Sequence, residues 1–305
     1  MGDKKMIMIP DSLSPGDKVG IVAPASPFDP KKLEEGVKMI RDMGFRVECP
    51  EPMSITTGYL SAPDDFRARQ LNRCFADKEI KAIVCARGGY GSIRILPLLD
   101  YPLIRRHPKI FLGYSDITVL LTALYRKCRF SVFHGPMAAG LGDVDEDSRI
   151  RLFHALTFVD ALEFPLKDAT ILSSGKAEGP VAGGNLTSLC HLAGTPYGMN
   201  FHGHILFLED RGEALYRIDR MLMHLKLTGC LSGIRGLILG TFDECGDYAD
   251  IVNLVPEIFK EEDIPILAGF GGGHGRRNLA FPMGMPATLD CDKGVLRFER
   301  RRTVP

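Results

Sequence analysis

The chain reads as an α/β protein, a parallel sheet covered by helices followed by a second, smaller α/β unit. Three observations predict this class. Short β-rich runs alternate with helix-period segments through the first half, which is the pattern of strand–helix–strand units in a parallel sheet. Polar or glycine-rich turns directly follow four of those strands, at the carboxyl ends where such sheets open their active crevice. A length of 305 residues suffices for two cores.

The elements follow in order. Val19–Ala23 (VGIVA) is the first strand, running into Pro24, Ala25, Ser26 and Pro27. A helix is expected over Pro30–Met43, where Leu33, Val37, Ile40 and Met43 recur at helical spacing. A second helix, Asp64–Asp77, precedes the strand Lys81–Cys85, which runs into Arg87, Gly88, Gly89, Tyr90 and Gly91. The strand Ile110–Gly113 ends just before Ser115, and a helix follows over Ile117–Lys127. The strand Ser131–Phe133 runs into His134, Gly135 and Pro136, ahead of a helix over Glu146–Leu156. The Gly-, Ser- and Ala-rich stretch DATILSSGKAEGPVAGGN then reads as a linker. This divides the chain into a first domain (1–157), a linker (158–180) and a second domain (181–305). The second domain is expected to hold strands at Ile205–Leu208, Gly236–Leu239 and Pro265–Ala268, with helices near Ala214–Leu227 and Ile251–Glu261. Two last β-runs, Ala287–Leu289 and Val295–Phe298, are joined by a turn at Asp292, Lys293 and Gly294.

Lys plus Arg and Asp plus Glu both number 38, so the formal charge is zero. That gives no electrostatic case for nucleic acid or an anionic membrane. The basic clusters Arg105–Arg106–Lys109 and Arg297–Arg300–Arg301–Arg302 are short and read as solvated surface. Eight cysteines are scattered without a C-x-x-C pair, as expected of small buried side chains in a reducing compartment and not of disulfides or zinc ligands. The start MGDKKMIMIPDSL has no long apolar stretch, Met6 stands where a myristoylation motif needs Ser or Thr, and no run reaches bilayer length. The expectation is a soluble, cytoplasmic protein without metal or cofactor.

The stretch FLGYSDITVL raises the question of chemistry. Ser115 or Asp116 before an apolar helix is an ordinary N-cap; the other reading is a nucleophile on a sharp strand-to-helix turn. A serine nucleophile needs a base, and the base an orienting acid. His274 is the strongest base candidate, carried by GFGGGHGRRN, where five glycines surround one histidine at a cost in backbone entropy. His134, at a strand end, is the next. His107, His154, His191 and His224 read as structural or exposed, and His202 and His204 as an exposed turn. Among the acids, Glu209 directly follows a strand, whereas Glu213 and Asp219 fall beside Arg217 and Arg220 in a helix, where intrahelical ion pairs are ordinary. ARGGYGS lacks both the dinucleotide fingerprint and the P-loop ending. Its glycines suit a loop whose backbone amides approach a ligand, such as an oxyanion hole. Ile117 departs from the G-x-S-x-G elbow, which sets aside a plain lipase or esterase.

Seven motifs, in this order, carry a resemblance: GDKVGIVAPASP, ARGGYGSIRILPLLD, FLGYSDIT, HGPM, GGNLTSL with GTPY, FLEDRGEALYRIDRML and GFGGGHGRRNLAFPMG. Through nearly its whole length the chain resembles the LD-carboxypeptidases, the serine peptidases that include muramoyl-tetrapeptide carboxypeptidases and microcin C self-immunity hydrolases. The resemblance implies an N-terminal flavodoxin-like domain with helices on both faces of its sheet and a C-terminal domain with a small β-rich core. It implies a Ser115–His274–Glu209 triad, a murein tetrapeptide or related muropeptide as substrate, and a homodimer. On physical grounds the Asp116 N–H at the start of the helix and the Gly89 N–H are the chosen oxyanion donors, and Arg87, Gly88 and Tyr90 of the glycine loop are the substrate contacts, with Arg87 for the terminal carboxylate. The microcin C-type aminoacyl-nucleotide hydrolase is the alternative.

Overall fold

The computed structural model describes residues 7–49 and 58–300. Met1–Met6, with most of the charged N-terminal stretch, and Arg301 and Arg302 of the second basic cluster lie outside them. The first half runs β1 (Lys18–Val22), α1 (Pro30–Asp42), β2 (Arg46–Glu48), α2 (Asp64–Ala76), β3 (Ile80–Cys85), α3 (Ser92–Ile95), α4 (Tyr101–Arg106), β4 (Ile110–Gly113), α5 (Thr118–Cys128), β5 (Val132–His134) and α6 (Glu146–Thr157). The second half runs β6 (Ala161–Pro165), β7 (Thr170–Ser173), β8 (Lys176–Asn185), α7 (Leu186–Leu192), β9 (Ile205–Arg211), α8 (Leu215–Leu227), β10 (Gly236–Asp243) and α9 (Tyr248–Ile258). It ends with β11 (Ile266–Ala268), β12 (Phe281–Met283), β13 (Pro286–Asp290) and β14 (Val295–Glu299).

Two mixed sheets form the frame. The first has the order β12-β5-β4-β3-β1-β2. Its strands β2-β1-β3-β4-β5 are parallel and give the flavodoxin-like succession. The second has the order β6-β14-β13-β8-β9-β10-β11-β7, with β8 to β11 parallel at its centre and antiparallel strands on both sides. Strands this apolar on both faces are those of a covered parallel sheet: Ile83, Phe111, Leu112, Phe133, Phe207 and Leu239 are all fully buried.

The stretch expected to be a linker is folded. It carries β6, β7 and the start of β8, all within the second sheet. Its small residues follow from packing, since a side chain at Gly183 would sit 1.9 Å from the Phe207 carbonyl oxygen of the adjacent strand. β12 was also missed. It leaves the second half to pair antiparallel with β5, with Phe281 opposite His134. The loop between β11 and β12 therefore crosses from one sheet to the other, and His274 lies on it. Lys109 is buried rather than solvated; its ammonium donates to the carbonyls of Asp77 and Ile80, and burial lowers its pKa to about 8.

Among the described residues no helix is long and apolar enough to cross a membrane. The eight cysteines are all unbridged.

Candidate active site

Three strand ends of the first sheet converge on Ser115. β4 ends at Gly113, and a single 3₁₀ turn, Ser115–Ile117, leads into α5. Ser115 has φ 61°, a left-handed conformation. In a residue with a β-carbon that conformation costs about 1–2 kcal/mol and marks a position held by its surroundings. The hydroxyl is not a helix cap, because neither the turn nor α5 has a side-chain cap hydrogen bond. Asp116 does not cap its own helix either. Its buried carboxylate accepts the N–H of Ser92 at 2.9 Å, tying the turn to α3 after β3, and burial raises its pKa.

The glycine loop after β3 packs against this turn. A β-carbon on Gly88 would lie 3.1 Å from Ser115 Cβ and 3.4 Å from the Asp116 nitrogen, so the backbone itself touches the Ser115 turn. Ser26, after β1, fastens the loop: its N–H donates to the Gly88 carbonyl at 3.2 Å, and its hydroxyl accepts the Tyr90 N–H at 3.0 Å. Arg87 is exposed and donates to the Pro27 carbonyl at 2.7 Å, not to a carboxylate across the sheets. Tyr90 is exposed and its ring lies 5.7 Å from that of Tyr59.

The second sheet supplies the candidate acid and the candidate base. β9 extends three residues beyond the expected strand, and its alternation sends Glu209 and Asp210 to opposite faces. Asp210 anchors the start of α7 through Asn185 Nδ2 at 2.8 Å and the Thr187 N–H at 2.9 Å. Glu209 is fully buried and turns to His274. Its Oε2 accepts from His274 Nδ1 at 2.6 Å and from the His274 main-chain N–H at 3.3 Å. The approach is possible because the preceding residue is Gly273, at φ 115°, where a β-carbon would stand 2.7 Å from Glu209 Oε2. The other ring nitrogen, Nε2, lies 3.1 Å from Ser115 Oγ. Burial lowers the His274 pKa, but the hydrogen bond and charge of Glu209 outweigh it, and the net value is raised.

The remaining candidates separate from the site. Glu213, expected within a helix, lies two residues ahead of α8 and pairs with Arg217 of its first turn at 3.4 Å. His134 is fully buried among rings and is no exposed base. His204 is half-buried, its Nε2 3.0 Å from the Tyr125 hydroxyl, and not part of an exposed turn. Two further cations are engaged elsewhere: Lys127 lies over the rings of Tyr101 and Tyr197, and Arg277 pairs with Asp147 and Asp168. Sequence reasoning missed Asn278, whose Oδ1 accepts the Gly273 N–H at 3.2 Å. It stands in the same GFGGGHGRRN motif, where an amide among glycines is a signal for a braced loop.

Comparison with known proteins shows the family. Residues 19–135 match the model of the LD-carboxypeptidase N-terminal domain, and residues 178–289 that of the C-terminal domain. A probable murein peptide carboxypeptidase of Bacillus subtilis (strain 168) is 40% identical over 292 residues, covering 92% of this chain and 91% of that protein. The muramoyltetrapeptide carboxypeptidase of Oxalobacter formigenes, a solved structure, superposes with a TM-score of 0.82 at 29% identity, over 94% of this chain and all of its own. The microcin C7 self-immunity protein MccF, solved in complex with aspartyl sulfamoyl adenosine, superposes with a TM-score of 0.88 at 26% identity, over 97% and 99% of the two chains. With both domain models matched in order along one chain, this protein belongs to the LD-carboxypeptidase family.

Proposed function

We propose that this protein is a serine carboxypeptidase that removes the terminal D-alanine from murein tetrapeptides. The observation that carries the reading is the continuous line Glu209–His274–Ser115, with contacts of 2.6 and 3.1 Å converging on a serine in a left-handed turn. His274 Nε2 takes the Ser115 proton as Oγ attacks the carbonyl of the third residue, meso-diaminopimelate or lysine, at its L-centre. The same imidazole then protonates the departing D-alanine amine, and water hydrolyses the acyl-enzyme. Glu209 keeps the Nδ1–H tautomer and stabilises the imidazolium. The Asp116 N–H, at the start of α5, and the Gly89 N–H are the oxyanion donors in this reading. The reading includes action on tetrapeptides in the cytoplasm and a homodimer, the latter checked by sedimentation. Tetrapeptides ending in D- or L-alanine, incubated with the protein and followed by mass spectrometry, test the reaction. Release of D-alanine only is expected; an intact D-alanine peptide would end the assignment.

A second reading, hydrolysis of an aminoacyl sulfamoyl nucleotide with the same three residues, is favoured by the backbone match to MccF. The chain has no Trp for stacking on a base. Aspartyl sulfamoyl adenosine in the same assay separates the two.

Two further results are expected. The general base must be neutral, so kcat/KM falls as pH drops through the raised His274 pKa. The acid limb of the profile therefore lies above the ordinary histidine value of 6.5. A limb below that value would contradict the Glu209 contact. Activity is also expected to survive EDTA.

Arg87 is proposed to bind the terminal carboxylate. A charge-assisted pair of about 1.5–3 kcal/mol predicts that Arg87→Ala loses on the order of 10- to 150-fold in kcat/KM on the free acid. Little more is lost on a C-terminal amide, because the two changes remove one interaction. Losses that multiply would remove Arg87 from this role.

A further inference from the structure

His134, a candidate base on sequence grounds, has no part in the proposed triad, yet it lies one ring away from it. Its side chain is fully buried. The ring stacks on Phe281 at 5.1 Å, meets Phe207 edge-on at 4.9 Å and Tyr114 at 5.8 Å, and Tyr114 in turn meets His274 at 5.0 Å. Neither His134 nitrogen has a hydrogen-bond partner, nor does the buried Nδ2 of Asn278, which is near enough to act on the His134 ring. Unpaired buried polar groups are costly, and these are complementary. A neutral imidazole offers a lone pair, and a carboxamide nitrogen offers an N–H.

The carboxamide is oriented by its other end. Asn278 Oδ1 accepts the Gly273 N–H at 3.2 Å, and the Asn278 main-chain N–H donates to Ser148 Oγ at 2.9 Å. With Oδ1 committed to the residue before His274, Nδ2 is the atom left for His134. The two side chains also come from different halves. His134 ends β5 in the first sheet, opposite Phe281, while Asn278 shares the His274 loop. Ser115 and His274 are divided between the halves in the same way, so their 3.1 Å contact depends on that join.

We propose that His134 and Asn278 form a neutral, buried positioning pair that holds the His274 loop in register with the Ser115 turn of the other half. Buried polar pairs of this kind fix one arrangement among several that apolar packing alone would allow. Flipping the carboxamide would set its NH₂ against the Gly273 N–H, and an acceptor on the far side prevents this. The pair works only with an uncharged ring; burial, then the nearby His274, push the His134 pKa down to about 3, outweighing the Asn278 side chain, which raises it. The titratable groups facing the ring are His274 and Tyr114; Phe207 and Phe281 bring no charge.

The inference rests on the hydrolase reading for its kinetic arm only. His134→Phe keeps an aromatic ring on Phe281 but offers no acceptor. It is expected to lose on the order of 10- to 100-fold in kcat with KM within about twofold, and to shift the acid limb of the pH profile. His134→Gln, which restores a carbonyl acceptor, is expected to recover most of that loss. A Phe variant with wild-type kcat and an unmoved profile, or a Gln variant no better than Phe, would overturn the pair. The second arm uses wild-type protein labelled with ¹⁵N-histidine and needs neither substrate nor a stable variant. One imidazole, assigned through its absence from His134→Gln or by through-bond correlation, should stay neutral in a single tautomer from about pH 5 to 8. Titration of His134 in that range, or a mixture of tautomers, would equally overturn the proposal. A wild type inactive on tetrapeptides would sink the substrate assignment and leave this arm to decide the pair.

Discussion

Ser115→Ala is expected to fold as the wild type does and to lose on the order of 10⁵- to 10⁶-fold in kcat. The fold should hold because the hydroxyl supports nothing else: it caps no helix and meets His274 Nε2 at 3.1 Å. The left-handed backbone at φ 61° is imposed by the β4–α5 turn and is as accessible to Ala as to Ser. The loss is large because nucleophile and base act as a unit, and what remains comes from oxyanion donors and binding alone. His274→Ala should fall by a similar factor, and the double variant little further. Stopped assays on the D-alanine tetrapeptide, with melting curves for each variant, check this. Turnover within tenfold of wild type in either variant would refute the assignment of nucleophile and base.

Much of the first half was legible because its longer elements announce themselves locally, while the short β2, α3 and α4 were not foreseen. Leu33, Val37 and Ile40 recur at helical spacing and all three are buried in α1, and Ile110–Gly113 is a strand with the bounds its apolar run suggests. The catalytic candidates were legible for a related reason: each breaks a local rule. Ser115 interrupts two buried elements, and His274 sits among glycines whose cost in backbone entropy has no reason in the local sequence. What stayed hidden depends on partners remote in sequence. The small residues of β8 look like a linker until Phe207 lies against Gly183. The strand Phe281–Met283 has only three residues and pairs with β5, nearly 150 positions earlier. His134 looked like a site residue because it follows a strand, but the crossing strand and Phe207 bury it. Strand ends mark where a crevice begins; which side chains remain open there is decided by the other sheet.

The acid is where local reasoning was most exposed, since Glu209, Asp210 and Glu213 lie within five positions. Glu209→Gln is expected to lose on the order of 10²- to 10⁴-fold in kcat, and Glu213→Gln less than about threefold. The carboxamide is nearly isosteric, so Oε can still accept from both His274 Nδ1 and the His274 main-chain N–H, the two donors Glu209 Oε2 now receives. The second of these donors cannot reverse its role, and it biases the carboxamide to present oxygen, which keeps the Nδ1–H tautomer. The loss is then mainly that of the negative charge facing the imidazolium in a fully buried position, where charge is poorly screened. Removal of that charge also removes what raises the His274 pKa above its ordinary value, while the burial that lowers it remains. The acid limb of kcat/KM should therefore move to lower pH in Glu209→Gln as kcat falls. Glu213, paired with Arg217 on α8, should leave both unchanged. A larger loss at Glu213, or an acid limb that does not move in Glu209→Gln, would place the acid elsewhere on the β9–α8 turn.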